Sequence, residues 1–424
     1  MPHLKGEDLT MHKVRRTKVK AMKVNATRNK YSKYYENTQI DDKLVMYITN
    51  RPVNISGNSY ALFHELIENS EYDRFIHYWV VSSKKVRDEE KIEHCENHPR
   101  VKLIKVGSLK YLEALAMAKY IIYERQLPTF FMKKEGQICI NAWDDIPLRK
   151  IGIHENTKST AQIWNTQKNL YFCDYLISPN HYTSEKLFQA YNLKGLFPGR
   201  VVETGHLSNS LLNKEEREPL INRLERELDC KLKGHKIILY SPAARKIDGK
   251  FLDNSKVIQR HINKIIKGLP EGYVLLTKLE PSDSESFVNK KINFLLAPDE
   301  IENRKLFAIA DILIADYNNM FMEYLGTGRP FLFFDYDRER SGIDEDAYIP
   351  IDTLPGPICT KIKELVSKIK SIDSVVEEYR DAYKEFAKTY APYNDGLAAS
   401  RAASIIFGKK DKQKELAKYT YSEV

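Results

Sequence analysis

Two successive series of short, continuous apolar runs, each alternating with helical patterns, limit what this chain can fold into more than any other feature. The first series holds "KLVMYITN" (43–50), "FIHYWVVSS" (75–83), "RVKLIKVG" (100–107), "KYIIYE" (119–124), "QICINAW" (137–143), "YLISPN" (175–180) and "RVVETG" (200–205). Between them lie helical stretches such as "GNSYALFHELIENS" (57–70). After a charged break, "NKEEREPLINRLERELDCKLKGH" (213–235), the pattern restarts with "KIILYSP" (236–242), "YVLLTKL" (273–279), "INFLLAP" (292–298), "ILIADY" (312–317) and "PFLFFDY" (330–336). Such runs suit strands covered on both faces, and their alternation with helices implies parallel βαβ units. The expected fold class is α/β, with two doubly wound, Rossmann-like domains facing across a cleft. Ligands then bind at the carboxyl ends of the strands. The expected divisions are a basic, flexible leader over 1–40, an N-terminal domain over 41–212, a C-terminal domain over 213–390, and a helix with a basic tail over 391–424. Apolar spacing across 361–391 predicts a pair of packing helices.

Charge is unevenly placed. Residues 1–33 hold ten Lys or Arg against Glu7 and Asp8, a surplus of eight out of the formal +9. That leader suits an anionic membrane surface or a polyanion, and the nearly neutral remainder argues against a dedicated nucleic-acid binder. Five cysteines without CxxC or CxxH spacing point to a reducing compartment and to no zinc site. No apolar run reaches the ~20 residues that span a bilayer, and the first residues lack a signal-peptide pattern. A cytoplasmic protein is expected, peripheral on the inner face of the membrane.

Two stretches carry candidate chemistry. In "ADILIADYNNMFMEYLGTGRP" (310–330) an apolar strand ends at Asp316-Tyr317, and Asn318-Asn319 sit where a helix begins. Asn favours helix N-caps, and amides exposed there attract anions. Glu323, one turn on, could accept hydrogen bonds from ribose hydroxyls. In "NAWDDIPLRKIG" (141–152), Asp144 and Asp145 close a buried strand just before Pro147.

The first of these stretches resembles the Asp-Tyr-Ser-Ser motif of the CDP-glycerol glycerophosphotransferase family, the teichoic-acid primases and polymerases. Collinear matches include "SLKYLEALAMAKYIIYERQLPTFFMKKEGQ", "AWDDIPLRKIG", "ISPNHYTSEKLFQAY", "GRVVETGHLSN", "ILYSPAAR", "LPGPI" and "YNDGLAASRAASIIF", together covering about residues 43–407. The resemblance implies a GT-B fold, with acceptor-side and donor-binding domains in that order. It also implies transfer of a phosphopolyol from a CDP-linked donor to a lipid-linked or polymer hydroxyl in cell-surface polymer synthesis. The nucleotide-linked donor, CDP-glycerol favoured, is a substrate, and neither cofactor nor metal is expected. Where the family has Trp-His-Gly-Thr-Pro, this chain has Asp144 and Asp145; where a second His precedes Pro, "TKLEP" supplies Glu280. Asp144 is the expected base and Glu280 its partner, with Asp145 beside them. Arg245, Asp316, Asn318, Asn319, Glu323 and Arg329 are the expected donor contacts, and Lys278 and Arg340 are further candidate clamps. Three readings stay open: phosphopolyol transfer, sugar transfer from another nucleotide donor, or a catalytically silent partner of a polymer-making complex. They are separated by whether Asp144 and Glu280 face the cleft that holds Asn318-Asn319. Self-association is left open as well.

His206 in "TGHLSN" and His154 are candidates for a missing imidazole. Asp335 and Asp337 in "DYDRER" read as strand-end acids more readily than as metal ligands. Trp143 and Trp164 read as core residues.

Overall fold

The computed structural model describes residues 25–49, 55–82, 95, 97–124, 126–155, 160–214, 217–243, 246–247, 250–251, 254–284, 287, 292–316, 319–337, 347–409 and 419–420. Arg245, Asn318 and Arg340, expected at the site, therefore lie outside the described residues.

The first lobe is built on β1 (Asp41–Ile48), β2 (Ile76–Val81), β3 (Val101–Lys105), β4 (Ala118–Tyr123), β5 (Ile138–Ala142), β6 (Tyr175–Ser178) and β7 (Arg200–Glu203). They form one parallel sheet in the order β3-β2-β1-β4-β5-β6-β7. The second lobe starts with β8 (Lys236–Ser241) and a small antiparallel hairpin, β9 (Lys246–Ile247) and β10 (Lys250–Phe251). β11 (Tyr273–Thr277), β12 (Leu295–Leu296), β13 (Ile312–Ala315), β14 (Phe331–Phe334) and β15 (Ile358–Cys359) follow. Its main sheet runs β12-β11-β8-β13-β14-β15, again parallel. In each lobe the chain builds outward from the founding strand on one side, then returns to extend the other. Each sheet thus has a switch point, at β1/β4 and at β8/β13, where diverging crossovers leave a crevice at the carboxyl edge.

The alternation of side chains explains why these strands read as unbroken apolar runs. In β1, Val45 and Tyr47 enter the core under one face while Leu44, Met46 and Ile48 enter the core under the other. In β8, Ile237 and Leu239 face one way and Ile238 and Tyr240 the opposite way. These central strands are covered on both sides, so the two-residue period of the pleat leaves no polar stripe, whereas the edge strand β3 exposes Lys102 and Lys105.

Three local outcomes differ from the sequence reading. Residues 25–37 are helical, and Tyr31 within them is 2% exposed, its hydroxyl donating to the Met132 carbonyl at 2.8 Å. The leader expected through residue 40 therefore ends before this helix, because an aromatic side chain anchors it among Phe130 and Phe131. The expected helix pair after residue 361 is three helices, Ile362–Lys370, Ile372–Glu378 and Arg380–Tyr390. The breaks fall at Ser371 (ψ 34°) and Tyr379 (ψ 5°), which leave helical geometry. Trp164, expected in the core, is 69% exposed.

The last helix among the described residues, Ala398–Phe407, crosses back to the first lobe. Its Ala402, Ala403, Ile405 and Phe407 pack in the same core as Val45, Phe63 and Trp79. Arg401 fixes its position by donating through Nε and Nη2 to the Thr204 carbonyl at 3.2 and 2.6 Å. No helix among the described residues is long and apolar enough to cross a membrane.

Candidate active site

Between the lobes lies a cavity of about 450 Å³ that both switch points border. From the first lobe come Ser56 and Gly57, at the start of the helix that follows β1, together with Asp144, Asp145 and Ser208. From the second come Ser241 at the end of β8, Lys278 and Glu280 after β11, Asp299 after β12, and Asn319 and Glu323 after β13. Asp144, Asp145, Glu280, Asn319 and Glu323 are thus brought together, as the sequence reading required.

Backbone rules explain the loop that carries the two aspartates. β5 ends at Ala142, and the Trp143 carbonyl is taken by the Asn58 side chain at 2.7 Å. The same Asn58 accepts from the Ser208 amide at 3.0 Å, tying three segments beneath the cavity. Beyond the aspartates, Ile146 and Leu148 are buried in the core of the second lobe, so the loop bridges the cleft. Tyr348 clasps it from the other side: its amide donates to the Leu148 carbonyl at 2.8 Å, and its hydroxyl lies 2.6 Å from His154 Nδ1. His154 is thus part of a clasp between lobes and does not line the cavity. At Gly57 (φ +77°), any added Cβ would stand 2.6 Å from Glu124 Oε1. Only glycine fits both that angle and that contact.

Asn319 opens the short helix Met320–Tyr324 but makes no side-chain cap bond. Its Nδ2 instead donates to Asp145 Oδ1 at 2.5 Å. His206 reaches the site indirectly, with Nε2 donating to the Asp144 carbonyl at 3.2 Å and Nδ1 2.8 Å from Ser208 Oγ. That bond fixes the backbone on which Asp144 is mounted. Partial burial pushes the Glu323 carboxyl up to about 6, with Asp144, Asp145 and Glu302 adding to the rise and His206 opposing it.

Two expected donor contacts are engaged elsewhere. Arg329 donates through Nη1 to the carbonyls of Phe307, Ala308 and Ala310 at 2.9, 3.2 and 2.6 Å. It closes the carboxyl end of the helix Asn303–Ile309, whose last carbonyls have no partner within the helix. Asp316 is 3% exposed, and its two carboxylate oxygens accept the Ala243 amide at 2.7 and 2.9 Å. It fixes the chain two residues before Arg245 and is absent from the cavity wall.

The described wall is acidic: Asp144, Asp145, Glu280, Asp299, Glu302 and Glu323 face Lys278 and Arg304. Lys278 donates to the Pro298 and Ile301 carbonyls at 2.7 and 3.0 Å, and Arg304 pairs with Glu302 at 3.0 Å. Asn58, Ser208, Asp299, Glu302 and Arg304 were absent from the sequence-derived site. Strand-end position was an available signal for Asp299 alone.

Two sheets of Rossmann order, with both reversal points opening on one shared cleft, define the GT-B class. Residues 31–408 match the model of the CDP-Glycerol:Poly(glycerophosphate) glycerophosphotransferase family, and the chain belongs to that family. It is similar to a teichoic acid poly(glycerol phosphate) polymerase of Bacillus spizizenii, 27% identical over 343 residues that cover 78% of this chain and 83% of the relative. A teichoic acid glycerol-phosphate transferase of Staphylococcus aureus is 26% identical over 374 residues, covering 83% and 90%. Among solved structures, the wall teichoic acid polymerase TagF superposes with a TM-score of 0.75 at 22% identity, covering 96% of this chain and 99% of that one.

Proposed function

We propose that this protein transfers glycerol phosphate from CDP-glycerol to a hydroxyl of a polymer or lipid-linked acceptor in cell-surface polymer synthesis. One observation carries the reading: Asp144 and Asp145 from one lobe meet Glu280, Asn319 and Glu323 from the other in a single cavity over both switch points. This arrangement speaks against a silent partner, because the two acids standing at the family's histidine positions face the donor side.

In this reading the Asp144 carboxylate takes the proton of the acceptor hydroxyl as its oxygen attacks the phosphorus bearing the glycerol. The bond between that phosphorus and the bridging oxygen of CMP breaks, CMP leaves with the electron pair, and a phosphodiester forms. Glu323 receives the ribose hydroxyls. His206 is a positioning residue, since it holds the Asp144 backbone and not the side chain. An acidic wall repels a diphosphate unless cations answer it, and Arg245 is the proposed contact because forked guanidinium donors match phosphate oxygens. The basic residues among 1–33 are proposed to keep the enzyme at the cytoplasmic face of the membrane.

Isothermal titration with CDP-glycerol and radiolabelled transfer with Asp144→Asn test the reading together. The expected result is unchanged donor affinity with turnover reduced about 100-fold or more, the range for loss of a general base. Unchanged turnover in Asp144→Asn removes the base assignment, and failure of the native chain to bind any cytidine nucleotide removes the function.

A further inference from the structure

A second concave site lies in the donor lobe, between the helices Ser255–Gly268 and Ile362–Lys370. Its volume is about 810 Å³, and it is lined by Lys264, Lys361, Lys363 and Lys370 together with His261 and Tyr336. No Asp or Glu lines it among the described residues, which is the reverse of the acidic transfer cavity. We propose that this depression is a second binding site for a phosphodiester chain, the polymer that the transfer site extends. The identity of the occupant rests on the transferase reading above.

Three features favour an extended anion over a single phosphate. Lys363 and Lys370 are seven residues apart on the helix Ile362–Lys370, so they share one face about 10 Å apart. Lys264 approaches from the facing helix, Ser255–Gly268. The two helices pack closely at Gly268, where an added Cβ would stand 2.9 Å from Val366 Cγ1. The ammonium groups are therefore distributed along a track instead of converging on one point. Lys–phosphate contacts of this kind act as independent point charges, and they gain from counterion release along a polyanion.

The location is suited to the growing chain. Tyr336 follows β14, and Thr360 and Lys361 follow β15, so one end of the depression lies at the carboxyl edge of the same sheet as the transfer cavity, and the rest runs back along the two helices. β15 stands two strand intervals from β13, about 10 Å at the usual inter-strand spacing. A flexible polymer leaving the cavity at the end of β13 needs only a few units to reach it. The concave form suits a chain better than it suits the flat headgroup layer of a membrane.

The test uses the full-length protein, a synthetic oligo(glycerol phosphate), CDP-glycerol and phosphatidylglycerol vesicles. A variant with Lys264→Gln, Lys361→Gln, Lys363→Gln and Lys370→Gln should keep its melting temperature and its CDP-glycerol affinity. Its affinity for the oligomer should fall roughly tenfold or more, with a shallower salt dependence, and its products should shorten. The corresponding four Lys→Arg changes should restore binding. Equal oligomer affinity in native and Gln forms overturns the proposal. So does loss of vesicle binding with oligomer binding intact, or full competition by inorganic phosphate. Lysine-dependent oligomer binding in a chain that fails to bind CDP-glycerol would uphold this site while removing the transferase reading.

Discussion

Asn319 Nδ2 donates to Asp145 Oδ1 at 2.5 Å, joining residues 174 positions apart and on opposite lobes. The bond turns a residue expected to cap a helix into a latch between the loop after β5 and the turn after β13. A hydrogen bond to a carboxylate contributes about 1.5–3 kcal/mol. Asn319→Ala, Asp145→Ala and the double variant, followed by urea unfolding, should give a coupling energy of about 1–2 kcal/mol. Additive effects would show that the latch carries no energy.

Glu323 gives the protein a pH signature. Its carboxyl titrates near 6 in the folded protein, above its ordinary 4.5, chiefly because burial disfavours the charged form. The folded state therefore binds this proton more tightly than the unfolded chain. The stability that it contributes is fully present below about pH 4.5 and is lost as pH rises through about 6, up to about 2 kcal/mol in all. Glu323→Gln is neutral at every pH, so it should be more stable than the native chain at pH 7.5. Denaturant titrations should show that advantage fading as pH falls towards 4.5.

Arg329 separates structure from chemistry. With its guanidinium on two carbonyls of the helix Asn303–Ile309 and on that of Ala310 just beyond it, Arg329→Gln should cost about 1–3 kcal/mol of stability. CDP-glycerol affinity per folded molecule should stay within twofold, read by calorimetry beside thermal melting. A selective loss of donor affinity at unchanged stability would return Arg329 to the donor site.

Tyr348 holds His154 and the Ile151 amide through its hydroxyl. Tyr348→Phe deletes both bonds and leaves the ring in place. Amide hydrogen exchange over residues 146–155 should then quicken by about tenfold, the scale of one to two lost hydrogen bonds, with exchange in β1 and β8 unchanged.

How much was legible follows from what each residue depends on. The central strands showed in the sequence because both faces of each sheet are covered there, so runs such as β1 and β8 are apolar along most of their length. Asn319 and Glu323 were singled out because they follow a strand end, where doubly wound folds place ligands, and Asp144 and Glu280 because they stand where the resembling family has histidines; all four line one cavity. Arg329 was misread because its role depends on carbonyls of a helix about twenty residues earlier, whose end sequence alone did not mark. Asn58 was missed for a related reason: its partners Trp143 and Ser208 come from distant segments, and a helix-start asparagine looks ordinary. Trp164 shows the converse, since the apolar character that suggests a core residue does not fix which way a helix turns.

The helix Ala398–Phe407 has a consequence for biosynthesis. Because it fills the core of the first lobe against Val45 and Phe63, that lobe must wait, incomplete, until residues 398–407 have left the ribosome. The second lobe can close its own core earlier, so maturation runs opposite to the order of translation. A frameshift just before the codons for residues 398–407 would therefore injure the lobe that was synthesised first.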